Sequence, residues 1–150
     1  MNDNYLLQAR VAGILIEDGK LLIVKQMLSD KRAWSLPGGR VEKGEEIGDG
    51  LIREMEEETG LRTKIVKLLY LCEKPETDPP LLHISFLIER VSGTIRLPSN
   101  EFDENPITDV KMVPIDELTL YDFSDKFMNL VKDQFPGAGS YMGNKENIGL

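Results

Sequence analysis

A helix with two unlike faces, flanked by strand-like runs, constrains this chain more than any other feature. Between Glu46 and Thr59, Ile47, Leu51, Ile52 and Met55 recur at helical spacing, and Gly60 stands where a C-terminal cap belongs. The same helix carries four carboxylates, Glu54, Glu56, Glu57 and Glu58, within five residues. Like charges three and four apart on a helix repel, and the simplest offset is a bound divalent cation. Offsets of three and four place Glu54, Glu57 and Glu58 on one face, while Leu51 and Met55 form a separate apolar stripe. Glu56 falls about 100° from its neighbours and reads as solvated. Gly48 and Gly50 weaken the first turns by about 1 kcal/mol each relative to Ala.

The rest of the chain reads as strands, then helices. Residues 5 to 17 are apolar and rich in β-branched side chains, and Leu21-Leu22-Ile23-Val24 follows after Asp18-Gly19. An Asp-Gly pair between two apolar runs predicts a hairpin. Residues 29 to 33 read as a polar loop, and Trp34-Ser35-Leu36 as a short strand stopped by the tight turn Pro37-Gly38-Gly39. Residues 63 to 73 and 81 to 91 read as strands around the turn-rich Pro75 to Pro80, with an edge strand at 92 to 96 and a polar, acidic loop at 98 to 108. Asp109 to Val113 is the last strand, ended by Pro114. A short helix at Ile115 to Leu118 and a longer one at Ser124 to Gln134 follow. This order predicts an α/β fold, a mixed sheet with helices packed on it as an α/β/α sandwich. One domain is expected over residues 1 to 136. A flexible tail is expected over 137 to 150, where Gly137, Gly139, Gly143 and Gly149 fall.

Composition narrows the function classes. At 150 residues, 41% hydrophobic and 29% charged, the chain suits one soluble core. Its net charge of −8 and lack of a Lys/Arg cluster speak against a nucleic-acid backbone as the main partner. No apolar run is long enough for a membrane span. Met1-Asn2-Asp3-Asn4 does not look like a signal peptide, and with Cys72 as the only cysteine a reducing cytoplasm is the expected compartment. With His83 the only histidine, a His/Cys zinc site or a Ser-His-Asp triad is disfavoured.

The carboxylate face suits a hard cation. Mg²⁺ and Mn²⁺ want oxygen ligands, and Mg²⁺ typically takes one or two carboxylates plus substrate phosphates. The glycines of Pro37-Gly38-Gly39 let the backbone approach a metal or phosphate closely. The chemistry implied is metal-assisted attack of water on phosphorus. Two other readings stay open: a nucleotide-sensing or protein-binding module without catalysis, and a Ca²⁺-binding or merely acidic surface helix.

Residues Gly39, Glu45, Arg53-Glu54-Met55, Glu57-Glu58 and Gly60-Leu61 resemble, at every fixed position, the signature of the Nudix hydrolases. Trp34-Ser35-Leu36-Pro37-Gly38-Gly39 before it and Val113-Pro114-Ile115-Asp116-Glu117-Leu118 after it are also similar to the family, and the order of elements agrees over about residues 6 to 134. The resemblance implies hydrolysis of a nucleoside diphosphate linked to another moiety, giving a nucleoside monophosphate and a phosphorylated remainder. It implies that Glu54 and Glu58 ligate Mg²⁺ or Mn²⁺, that Glu57 ligates a second ion or helps activate water, and that the Gly38 carbonyl also ligates metal. Arg53 is expected to orient a catalytic carboxylate, and Glu45 to fix the loop-helix-loop. The general base is expected to be Glu57, with Glu101, Asp103 and Glu104 as rivals. Many members are homodimers, so a homodimer is an expectation of the resemblance.

Substrate recognition is less legible. Arg10, Gly39, Phe86 and Glu104 are the candidates for holding substrate. Arg10 stands out because Gln8 and Arg10 alternate into an otherwise apolar strand, which turns one face of that strand toward a cleft. Tyr5, Tyr121 and Phe123 have the chemistry to stack on a base, yet each reads first as structural. Trp34 reads as a packed core or rim residue rather than a base-stacking platform, and Cys72 as a small hydrophobe. His83 points away from Leu82 and Ile84, and reads more readily as structural than as a contact to substrate. Pro75 lies near a proline found in ADP-ribose hydrolases, while nucleoside triphosphates fit equally well.

Overall fold

The computed structural model describes residues 6–26, 33–98 and 106–150. Strands β1 (Gln8–Glu17) and β2 (Lys20–Gln26) form the hairpin that Asp18-Gly19 predicts. Both turn residues have positive φ, 51° and 73°, as a two-residue turn matched to strand twist requires. Then come β3 (Trp34–Ser35), β4 (Gly38–Arg40), α1 (Ile47–Thr59), β5 (Arg62–Lys74), β6 (Leu81–Ser92) and β7 (Ile107–Pro114). A 3-10 segment (Ile115–Tyr121), α2 (Asp125–Lys132), β8 (Ser140–Asn144) and a last 3-10 turn (Lys145–Ile148) complete the chain.

The strands make one mixed sheet in the order β3-β2-β1-β6-β5-β8, with β4 added on β1 and β7 on β2. Strand β1 is its hub. It runs parallel to β6 from Gln8 to Leu15 and antiparallel to β4 at Arg10, Val11 and Ala12. It pairs with β2 only at Ile16 and Glu17, next to the turn. Further along β2, Val24 and Lys25 pair instead with β3. The sheet therefore forks where β1 parts from β2, and the fork is where the smaller cavity described below opens.

Side-chain alternation explains the two layers of core. Val11, Leu15, Leu22, Ile84 and Ile88 face Leu51 and Met55 of α1, whereas Ile14, Leu21, Ile23, Leu69 and Cys72 face Leu118, Phe127 and Val131 on the other side. Strand β2 is covered on both faces, which is why Leu21 to Val24 is an unbroken apolar run at 0% exposure.

Several sequence expectations are corrected. Residues 93 to 98 are not an edge strand; only Ser92 belongs to β6, and the Arg96 amide instead bonds the Thr59 carbonyl. Pro37-Gly38-Gly39 is not only a turn, since Gly38–Arg40 is a strand paired with β1. The strand ending at Pro114 is not the last. The tail expected to be flexible is folded: β8 runs parallel to β5 at Tyr70 to Glu73 and covers part of its edge. Ile148 is buried at 1% exposure, the Ser124 hydroxyl donates to the Gly149 carbonyl at 2.7 Å, and the Tyr70 hydroxyl donates to the Pro136 carbonyl at 2.6 Å. Burying one such side chain contributes about 1.5–3 kcal/mol. With the added hydrogen bonds, that offsets the ordering entropy that the glycines raise.

Candidate active site

The acidic face of α1 is brought against β4. The Gly38 amide donates to Glu58 Oε1 at 2.7 Å, and Gln26 Nε2 of β2 reaches Glu58 Oε2 at 3.4 Å. Gly39 lies so close to Glu54 that a Cβ there would sit 2.6 Å from the carboxyl carbon. A Cβ on Gly38 would sit 1.9 Å from the Val11 carbonyl oxygen. Glycine at both positions is thus a consequence of two backbones, β4 and β1, and two carboxylates sharing one narrow space.

Arg53 ties the acids together. Its Nε donates to Glu45 Oε2 at 2.7 Å and Nη2 to Glu45 Oε1 at 3.1 Å, a bidentate pair. Nη1 reaches Glu54 Oε1 at 3.0 Å and Glu57 Oε2 at 3.2 Å, and Nη2 also donates to the Arg40 carbonyl at 3.1 Å. Glu45 in turn accepts the Glu42 amide at 3.0 Å, which closes the loop before α1. Gly50 leaves room for this: a Cβ there would meet Glu45 Oε1 at 2.9 Å.

The electrostatics sort these carboxylates. The Arg53 hydrogen bond holds the Glu45 carboxyl down at about 2. Burial pushes Glu58 up to about 8, with the neighbouring Glu54 and Glu57 charges adding to it and the Gly38 amide opposing it. Burial also raises Glu54, against the pull of Arg53. Glu57 stays exposed at 59% of its side chain and Glu56 is exposed as well. Glu58 and Glu54 are thus two shielded carboxylates whose negative charge the protein compensates incompletely. Such a pair suits a hard divalent cation that draws its remaining ligands from substrate phosphates and water. Among the described residues, no three His, Cys, Asp or Glu side chains stand close enough to hold one ion by themselves.

Two cavities flank β4. An open cleft of about 910 Å³ is lined by Ile52, Arg53, Glu54, Glu56, Glu57 and Glu58 of α1, together with Arg96, Pro98 and Ile107. A smaller cavity of about 240 Å³ lies in the fork of the sheet and includes Arg10, Gly38, Gly39 and His83.

The expected site residues therefore divide. Glu54, Glu57, Glu58, Arg53, Gly38, Gly39 and Arg10 are gathered around β4. Phe86 is not: it alternates with Ile84 and Ile88 and packs on the α1 side of the sheet, whereas His83, one residue out of phase, faces the fork. Trp34 packs edge-on against Tyr121, with ring centroids 5.4 Å apart, and the Lys25 and Lys111 amines lie 5.8 and 5.9 Å from its ring centre. Phe123 stacks on Phe127 at 5.3 Å and also lines the fork cavity. Tyr5, Glu101, Asp103 and Glu104 lie outside the described residues. Gln26, Arg96 and Lys145 escaped the sequence reading. Gln26 ends an apolar run, Arg96 follows a strand edge, and Lys145 sits in a segment read as a tail, so none carried a periodic or motif signal.

His83 is buried at 6% exposure, and its Nδ1 has no hydrogen-bond partner among the described residues. Burial lowers its pKa to about 3, with the Lys145 and Arg10 charges pushing the same way. Among the described residues, Arg10 of β1, Cys72 paired across from it on β5, and Lys145 are the titratable groups around it. Because the unfolded chain binds this proton more readily than the folded one, stability attributable to His83 is complete above about pH 6.5. It declines toward pH 3 with a slope of up to about 1.4 kcal/mol per unit. Urea unfolding between pH 7 and 4 should show this slope, reduced in His83→Gln; an unchanged slope would show that His83 does not carry it.

The NUDIX domain model matches residues 7–131. An ADP-ribose pyrophosphatase of Methanocaldococcus jannaschii is 36% identical over 89 residues, 57% of this chain and 53% of that protein. An ADP-ribose pyrophosphatase of Bacillus subtilis is 31% identical over 104 residues, 67% of this chain and 55% of that protein. The chain thus aligns with about half the length of these relatives. A solved NUDIX hydrolase from Nitrosomonas europaea superposes with a TM-score of 0.71 at 22% identity, covering 89% of this chain and 91% of that one, which shows a shared fold. From the match over residues 7–131, which takes in α1, β4 and the carboxylate cluster between them, the chain belongs to the Nudix family.

Proposed function

We propose that this protein is a divalent-metal-dependent pyrophosphohydrolase. Its substrate would be a nucleoside diphosphate linked to another moiety, either a nucleoside triphosphate or an ADP-ribose-like nucleotide. The observation that carries the reading is the convergence of the shielded Glu54 and Glu58 carboxylates on the Gly38-Gly39 backbone, with Arg53 holding Glu54 and Glu57 in register. The two ADP-ribose pyrophosphatases among the relatives favour the ADP-ribose-like branch.

Glu54 and Glu58 would hold Mg²⁺ or Mn²⁺, with the Gly38 carbonyl as a further oxygen donor, and Glu57 would ligate a second ion or help activate water. When bound, the metal supplies charge neutralisation of the diphosphate and a lowered pKa for attacking water. Glu57, the most exposed of the three, would take the proton from that water, and the Arg53 guanidinium fixes its carboxylate for the task. Arg10, which bears electrostatically on both Glu54 and Glu58, would brace the neighbouring phosphate. Arg96, which also lines the cleft, would meet the charge of the departing phosphate.

The test is a panel of nucleoside triphosphates, nucleoside diphosphate sugars and ADP-ribose with Mg²⁺ and with chelator, products resolved by ³¹P NMR. The expected result is metal-dependent release of a nucleoside monophosphate. Tight nucleotide binding with no turnover on any substrate would instead make the protein a nucleotide-sensing module.

A further inference from the structure

The cavity in the fork of the sheet holds His83 and Lys145, which the carboxylate site leaves unused. At about 240 Å³ it is smaller than the roughly 300–1,000 Å³ of a pocket that encloses a whole small ligand, and so has room for only part of one. Among the described residues its lining includes the cationic Arg10 and Lys145 and no Asp or Glu side chain. His83, buried and with no partner for its Nδ1 among the described residues, forms another part of the wall.

Both cations line the cavity. The Arg10 charge is felt at Glu54, Glu58 and His83, and the Lys145 charge at His83 and Cys72. Lys145 is half-buried and comes from the last 3-10 turn, which is held by Ile148 and by the Asn144 side chain accepting the Glu146 amide at 2.9 Å. That segment lies beyond residue 131, where the family match ends. A positive wall of the cavity is therefore supplied by a part of the chain that the shared domain does not include.

We propose that Lys145, with Arg10 and His83, makes this cavity a phosphate-accepting subsite, so that the favoured substrates carry a phosphate monoester on the moiety entering it. Two cations concentrate a dianion in a small, partly desolvated space. A neutral imidazole adds a directional hydrogen bond, which the anion strengthens by making protonation of His83 easier. The inference deepens the phosphoanhydride-cleaving reading and rests on it for the identity of the substrate, but its binding test does not need turnover.

His83 is the only histidine in the chain, so its ring signals report on the cavity without assignment ambiguity. The experiment titrates ribose 5-phosphate, with ribose and inorganic phosphate as comparison arms, into the chelator-treated protein while His83 ring resonances are followed by NMR. The expected result is a saturable shift with ribose 5-phosphate, a weaker one with inorganic phosphate, none with ribose, and an upward move of the His83 pKa. Lys145→Met should raise the Kd at least ~10-fold, while Lys145→Arg keeps it within a few-fold. No shift with either phosphate in the wild type, or equal Kd values for wild type and a folded Lys145→Met, would overturn the proposal. Since wild-type titration alone can overturn it, a variant that fails to fold leaves it exposed to refutation. Hydrolysis across the nucleotide panel with no phosphate response at His83 sinks this subsite alone; a response without hydrolysis sinks the catalytic reading and leaves the subsite standing.

Discussion

Glu58→Gln will lower kcat by at least ~10²-fold, the scale of losing one preorganised electrostatic group in a shielded site. Glutamine keeps the shape of the side chain and an oxygen to accept the Gly38 amide, whose bond to Glu58 is 2.7 Å. What it removes is the charge that a cation would answer. The fold should therefore survive, with a thermal midpoint equal to or above that of the parent, because a buried and poorly compensated carboxylate has been made neutral. Mg²⁺ supplies the second readout. An ion that binds only the folded chain stabilises it, by about 2.7 kcal/mol at a hundredfold excess over its Kd. That gain should appear in the parent protein and vanish in Glu58→Gln. Undiminished turnover in the variant would remove Glu58 from the machinery.

The contrast between Glu58 and its neighbours marks how far the sequence could be read. Helical spacing alone put Glu54, Glu57 and Glu58 on one face and Glu56 elsewhere, and α1 does end at Thr59 with Gly60 left-handed at φ 80°. Spacing could not reveal which carboxylate is shielded, because burial depends on β4. Gly38–Arg40 reads as a turn when taken alone and becomes a strand only because β1 offers an open edge at Arg10 to Ala12. Phe86 and His83 show the same limit across the sheet. Alternation separates the two, but which side holds the cavity is decided by where β1 leaves β2, a long-range event no local pattern encodes. The tail was misread for a related reason. Glycine counts speak of chain entropy, whereas the burial of Ile148 against the α2 side of the core is set by the surface available to it.

Arg53→Lys is expected to lower kcat/KM by about 10–100-fold, the usual cost of disturbing a group that orients a metal ligand or catalytic carboxylate. The guanidinium spans Glu45 through two parallel bonds and still reaches Glu54, Glu57 and the Arg40 carbonyl. A single ammonium cannot hold all of these at once, although the charge is conserved. The loss should come with a weaker apparent Mg²⁺ affinity, so that raising Mg²⁺ restores part of the rate. It should restore none in Glu58→Gln, where a ligand rather than its orientation is missing. The pH dependence of stability supplies a separate signature. Arg53 holds the Glu45 carboxyl at about 2, so this pair contributes stability that is complete above the ordinary carboxylate range and is lost as pH falls toward 2. With the fork removed, Glu45 returns toward its ordinary range, and the acid limb of stability moves up in pH. A variant with parental kcat/KM and an unmoved acid limb would mean that Arg53 holds neither the carboxylates nor the loop before α1.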